Sequence, residues 1–164
     1  MLAKKSCFGI GFDDVFAIHK IILQKIDDRN AGVFCQVMVR IMGASTIFPN
    51  YAKVPFLMVD FMDWLHSCNE HPIMVAALAH YKLVMIHPFI DGNGRTARLL
   101  MNLLLLQQGY PLAIIKKEKR AAYINAIETA RKTDDFVTFY ELILEAVEST
   151  LDSYLHAVRE SNIS

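Results

Sequence analysis

The sequence has 164 residues, 54% of them hydrophobic and 21% charged, with a formal net charge of zero. That length fits one domain, the apolar content excludes a disordered chain, and neutrality gives no global attraction to nucleic acid or membrane. Three widely spaced cysteines, Cys7, Cys35 and Cys68, form no Cys-x-x-Cys pair; they exclude a zinc site by spacing and read as reduced thiols of a cytoplasmic protein.

Taken in chain order, the first helical pattern starts at Asp13 as cap and carries Val15, Phe16, Ile18, Ile22, Leu23 and Ile26, with Asn30-Ala-Gly32 as its stop. Val33 to Ile41 is rich in β-branched and aromatic residues, and Gly43-Ala-Ser-Thr46 and Phe48-Pro-Asn50 follow. This predicts a short hairpin or extended flap over 33–48. A helix follows over 53–67. Pro72 suits the first turn of the next, 72–86, which is apolar on nearly every side and so belongs at the centre of the domain. Pro88, Gly92 and Gly94 interrupt the pattern, which resumes over 95–108 and stops at Gly109-Tyr-Pro111. Helices over 116–132 and 134–158, the latter capped by Asp134, complete an all-α reading: one helical bundle with a small β flap, a single domain over 1–164 with its core at 13–158.

The stretch from Leu99 to Ile115 lacks charge, but Asn102, Gln107, Gln108, Gly109 and Pro111 make it too short and too interrupted to span a bilayer. No long apolar run follows Lys4 and Lys5, so no signal peptide is predicted. Charge is uneven. Residues 95–132 hold eight bases against two acids, a net of +6, and residues from 133 onward hold seven acids against Arg159, a net of −6. The basic block suits either an anionic ligand or a solvated helix face.

The segment His87-Pro-Phe-Ile-Asp-Gly-Asn-Gly-Arg95-Thr-Ala-Arg98 lies between two strongly apolar helices. A glycine-rich turn feeding a helix aims free backbone N–H groups into one concavity, where the helix dipole adds positive charge. Gly92 and Gly94 permit close approach of an anion. Arg95 and Arg98 lie on one helix face and reach phosphate oxygens with forked hydrogen bonds. Asp91 is a hard oxygen ligand suited to Mg²⁺ shared with phosphates. His87 is the group whose ordinary pKa suits proton removal near neutrality. Base, metal ligand and phosphate cradle in one loop describe phosphoryl or nucleotidyl transfer. Gly92-x-Gly94-x-x-Ala97 also matches a relaxed dinucleotide fingerprint, but a helical pattern precedes it where a strand is required. The phosphate-loop Gly-Lys-Ser/Thr pattern fails at Gly94-Arg95-Thr96.

The string His87-Pro-Phe-x-Asp-Gly-Asn-Gly-Arg95-x-x-Arg98 resembles the full signature of the Fic family. Ala76-Ala-Leu-Ala-His-Tyr-Lys-Leu-Val84 before it, and Leu99-Leu-Met-Asn102 with Gly109-Tyr-Pro111 after it, are similar to that family's core, and the likeness runs from about residue 15 to 155. The resemblance implies a Fic-fold orthogonal bundle and an Mg²⁺-dependent transfer of AMP from ATP to a Ser, Thr or Tyr hydroxyl of a protein, with release of pyrophosphate. It makes His87 the base, Asp91 the metal ligand, Gly92, Asn93 and Gly94 the anion hole, and Arg95 and Arg98 the phosphate ligands, Arg98 at the γ-phosphate. It places the nucleobase at Tyr123, Ile124 and Arg131, and the target-docking flap at Gly43, Ala44, Ser45, Thr46 and Ile47.

The chain departs from the family pattern in three places. Ile124 and Arg131 stand where Tyr and Asn are usual, Phe34-Cys35 stands where an aromatic-Arg pair is usual, and no Glu is followed by Gly or Asn as in the family's inhibitory helix. A different nucleotide donor, removal of AMP, and a non-catalytic nucleotide-binding module are the alternatives. The partners implied are a protein substrate and ATP, with an inhibitory partner or segment and a homodimer left open. Nucleic acid and membrane are not favoured.

Overall fold

A computed structural model describes residues 8–38 and 48–161. The chain forms helices α1 (Phe12–Leu23), α2 (Val54–Ser67), α3 (Pro72–Ile86), α4 (Asn93–Gln107), α5 (Arg120–Thr133) and α6 (Val137–Ser161), with 3₁₀ turns at Tyr51–Lys53 and Lys117–Lys119. Among the described residues there is no strand, and no helix is long and apolar enough to cross a membrane.

The all-apolar helix is the centre of the molecule. Pro72 opens α3 and the His71 ring accepts the Ile73 amide. Ala76, Ala77, Ala79 and Leu83 are then fully buried, and α2, α4 and α6 pack around it. Small side chains on α3 let neighbouring helices approach closely, and α4 contributes Ala97, Leu100, Met101, Leu104 and Leu105 to the same core. The α3–α4 pair is the most extensive helix contact, and α1 also packs against α4. The loop joining α3 to α4 is therefore anchored at both ends in the best-packed part of the protein.

Several sequence expectations need correction. Helix α1 is capped by Gly11, not Asp13, and the Asp14 carboxylate accepts the Gly11 amide at 2.8 Å. It ends at Leu23 because Lys25 takes a left-handed φ of 63°, which leaves Ile26 outside the helix and exposed. Asp134 ends α5 in the left-handed region instead of starting α6; the neighbouring Asp135 carboxylate accepts the Val137 amide at 2.9 Å. The described parts of the expected flap, 33–38 and 48, carry no strand. There Phe34 packs on Phe16 with ring centroids 4.8 Å apart, and the Cys35 amide donates to the Pro88 carbonyl at 2.8 Å. Of this described run only Phe34 and Cys35 are spent on the core and the α3–α4 loop; Val33, Val37 and Met38 are exposed. Residues 39–47, with Gly43, Ala44, Ser45, Thr46 and Ile47, lie outside the described residues. Cys35 is a buried free thiol, and Cys68 is buried, its Sγ 3.1 Å from the Leu65 carbonyl.

Candidate active site

The α3–α4 loop begins at His87, which ends α3 with φ 53° and ψ 56°. A left-handed histidine costs about 1 kcal/mol and turns the chain sharply away from the helix. Its ring Nδ1 lies 3.3 Å from the Val84 carbonyl. A carbonyl only accepts, so Nδ1 carries the proton and Nε2 presents a bare lone pair. Phe48 covers the ring at a centroid distance of 3.9 Å. Burial pushes the His87 pKa below its ordinary value, partly offset by the Val84 carbonyl and the Asp91 charge. The ring is thus held as a neutral base.

Further along, Asn93 closes the loop on itself. Its side-chain oxygen accepts the Phe89 amide at 2.9 Å and its nitrogen donates to the Phe89 carbonyl at 2.7 Å. The Asn93 side chain is therefore consumed by the loop, and only its backbone amide can face an anion. Phe89 is fully buried and stacks on the His19 ring, 3.7 Å between centroids and 7° between planes. Gly92 has a φ of 77°, and a Cβ placed on it would meet the His19 ring and Ile22 at 3.4 Å. Only glycine fits there without strain. The first intrahelical amide bond of α4 runs from Thr96 to the Gly92 carbonyl at 2.9 Å, so the amides of Asn93, Gly94 and Arg95 precede it and have no acceptor within the helix.

Asp91 is exposed. One carboxylate oxygen accepts the Gly92 amide at 2.6 Å and the other meets Arg95 Nη2 at 3.0 Å. Among the described residues no cluster of three metal-ligating side chains exists. A single exposed carboxylate beside free amides fits Mg²⁺, which keeps its waters and shares phosphate oxygens with one or two carboxylates.

Arg98 passes beside Gly94, its Nη1 3.6 Å from where a Cβ would stand. Burial raises the Tyr123 pKa and the nearby Arg98 charge partly offsets this; the Tyr123 hydroxyl lies 2.8 Å from His80 Nε2. Tyr123 and Ile124 line a cavity of about 420 Å³ with Arg98, Ile115, Lys116, Lys117 and Arg120. Arg131 does not line it; its guanidinium is taken by Glu128 at 2.8 and 3.2 Å. The structure thus joins His87, Asp91, Gly92, Asn93, Gly94 and Arg95 in one loop and helix start, with Arg98, Tyr123 and Ile124 next to it, and leaves Arg131 aside.

Two histidines escaped the sequence reading. His19, fully buried, accepts the Gly32 amide on Nδ1 at 2.9 Å and donates from Nε2 to the Asp91 carbonyl at 3.0 Å. His80, also fully buried, backs Tyr123. Their signal was a polar residue inside a buried stripe: His19 falls between Val15 and Leu23 at four-residue steps, and His80 lies within the all-apolar helix.

The described Fic/DOC family model matches residues 10–105. A curated relative, the protein adenylyltransferase Fic of Drosophila ananassae, is 42% identical over 154 residues, covering 92% of this chain and 30% of its own length. Among solved structures, residues 134–508 of Fic-1 from C. elegans superpose with a TM-score of 0.80 at 35% identity, covering 93% of this chain and 45% of that one. A Fic family protein from Desulfovibrio desulfuricans gives 0.77 at 28%, covering 90% and 47%. This chain spans about 30% of the length of the curated relatives it matches. A family model that covers more than half of the chain, carried by the same loop that builds the site, shows that this chain belongs to the Fic/DOC family.

Proposed function

We propose that this domain is a protein adenylyltransferase that moves AMP from ATP to a Ser, Thr or Tyr hydroxyl of a protein substrate. The observation that carries the reading is His87: a neutral imidazole with its free Nε2 fixed on the same short loop that leads into the unbonded amides of α4. The target hydroxyl loses its proton to His87 Nε2 as its oxygen bonds to the α-phosphorus. The bond from that phosphorus to the bridging oxygen breaks, and pyrophosphate leaves with the electron pair. The amides of Asn93, Gly94 and Arg95 and the positive end of α4 stabilise the charge on the transferring group. Arg95 and Arg98 hold phosphate oxygens, Arg98 on the γ side. Asp91 would hold Mg²⁺, which when bound neutralises phosphate charge and orients the leaving group. Residues 43–47 serve as the flap that registers the target chain. Relatives that share 42% identity across this segment are named protein adenylyltransferases, which supports the same chemistry here. The chain holds no Glu followed by Gly or Asn, so the reading takes this chain as catalytically unrestrained, with any restraint absent, outside it or supplied by a partner.

The test is incubation with Mg²⁺ and each α-³²P-labelled nucleotide, alone and in cell lysate, beside His87→Ala. Label from ATP on protein, abolished in His87→Ala while ATP binding persists, is the expected result. ATP binding lost in the variant as severely as transfer removes His87 from the base role. Label from another nucleotide only replaces ATP as donor and makes Ile124 the first specificity residue to change.

A further inference from the structure

The α3–α4 loop is held by a side chain that does not belong to it. His19 sits on α1, 72 residues before Asp91, and its ring meets the loop at three places. It stacks on Phe89 with ring centroids 3.7 Å apart and planes 7° apart. It donates from Nε2 to the Asp91 carbonyl at 3.0 Å. It also stands 3.4 Å from where a Gly92 Cβ would be. The ring cannot turn freely, because Nδ1 accepts the Gly32 amide at 2.9 Å and the residue is fully buried. An amide N–H only donates and a carbonyl only accepts, so these two partners fix the tautomer, with the proton on Nε2.

The Asp91–Gly92 peptide needs such a hold. Gly92 has φ 77° and ψ −1°, the values of the third residue of a type II turn. Turning that peptide over gives the type I alternative, in which φ of the third residue is negative. Glycine takes either sign of φ about as readily. Gly92 itself therefore does not choose between the two, and the bond from His19 to the Asp91 carbonyl does. The choice reaches the Asp91 side chain. In a trans peptide the carbonyl and the next N–H point in opposite directions, and no cis bond occurs among the described residues. With the Asp91 carbonyl turned to His19, the Gly92 N–H faces away from the ring and donates to Asp91 Oδ1 at 2.6 Å. The other carboxylate oxygen is left to Arg95 at 3.0 Å. A flipped peptide would aim the amide at the His19 ring and release the carboxylate.

We infer that His19 is a positioning residue for the metal ligand: through the Asp91–Gly92 peptide it sets where the Asp91 carboxylate stands. That Asp91 holds Mg²⁺ beside ATP rests on the adenylyltransferase reading; the control of the peptide by His19 does not.

Two substitutions in the whole chain separate the two bonds of the ring. His19→Asn places an oxygen near the Nδ1 position and keeps an acceptor for Gly32, but does not reach Asp91. His19→Gln places an amide nitrogen near the Nε2 position and keeps the donor to Asp91. Both are neutral and both lose the stack on Phe89, so a purely structural histidine predicts equal damage. Nuclear magnetic resonance of ¹⁵N-labelled chain reports the Gly92 amide proton, which a short bond to a carboxylate moves downfield. Mn²⁺ binding in the presence of the α,β-methylene analogue of ATP, followed by electron paramagnetic resonance, reports the carboxylate. Expected is a downfield Gly92 signal in the parent and in His19→Gln, with Mn²⁺ affinities within about threefold of each other. His19→Asn should lose that signal and bind Mn²⁺ about tenfold more weakly. Equal Mn²⁺ affinities in the two variants, or a Gly92 signal that His19→Asn leaves in place, overturns the proposal. Should either variant fail to fold, the ring ¹⁵N shifts of the parent decide: a proton on His19 Nε2 supports the proposal and one on Nδ1 overturns it. If the parent binds no Mn²⁺ with the analogue, metal-dependent AMP transfer is excluded, and the positioning role is judged on the Gly92 signal alone.

Discussion

At the scale of single residues, the histidines divide the labour. His87 is kept neutral because burial outweighs the Val84 carbonyl and Asp91 in setting its pKa. A general base works only when unprotonated, so rate should hold as pH falls and drop only below the ordinary histidine value of 6.5. A pH profile of single-turnover transfer checks this, and an acidic limb with its midpoint above 6.5 sinks it. His19 acts on the loop instead. Its ring ties the Gly32 turn to the Asp91 carbonyl and, with Ile22, forms the wall under Gly92. His19→Leu keeps the apolar volume but strands both backbone groups, and each unmet buried group costs about 1–3 kcal/mol. Urea unfolding should therefore show a loss of about 2–5 kcal/mol. A change below about 1 kcal/mol would mean that water replaces both bonds.

At the scale of elements, boundaries were legible where the signal is local. Pro72 marks the start of α3 and the His87-Pro88 turn marks its end, so 72–86 is read directly from the sequence. The same holds for the loop, whose glycines and charged residues are adjacent in the chain. What the sequence hid depends on distant partners or on strain. Lys25 takes a left-handed conformation that no propensity announces. His19 meets Asp91 across 72 residues and His80 meets Tyr123 across 43. The run 33–38 has strand-like composition, yet it packs through Phe34 and Cys35 alone and leaves Val33, Val37 and Met38 exposed. Helix α6 shows a related limit. Its periodicity continues through Leu151, Tyr154, Leu155 and Val158, yet burial stops at Thr150 and residues 151–161 are exposed. Ending the chain at Leu151 should leave a cooperative thermal transition with a midpoint within about 2–4 °C of the intact chain. Phe139→Ala, within the buried half and beside His80, Tyr81 and Tyr123, should cost about 3–5 kcal/mol. A truncated chain that melts non-cooperatively would assign α6's outer half a structural role that its exposure does not predict.

At the scale of the whole molecule, function and stability meet in the three buried imidazoles. His19, His80 and His87 all sit below their ordinary pKa, in each case chiefly through desolvation. In the unfolded chain each takes up its proton near 6.5; in the folded chain each does so only at lower pH. Between those values the unfolded state binds protons that the folded state does not, so stability is fully present above 6.5 and falls as pH drops below it. For His80, depressed to about 3 by burial and by Arg98, the window is wide. From pH 6.5 to 5 it alone accounts for a loss of about 2 kcal/mol. Urea titrations at pH 7.5 and 5.0 should show that loss, and His80→Gln, which cannot titrate but still offers Tyr123 a partner, should show a correspondingly smaller difference. An identical acid dependence in the parent chain and in His80→Gln would mean that His80 does not set this sensitivity, and would return it to His19 and His87, where the same pair of titrations on His19→Leu decides between them.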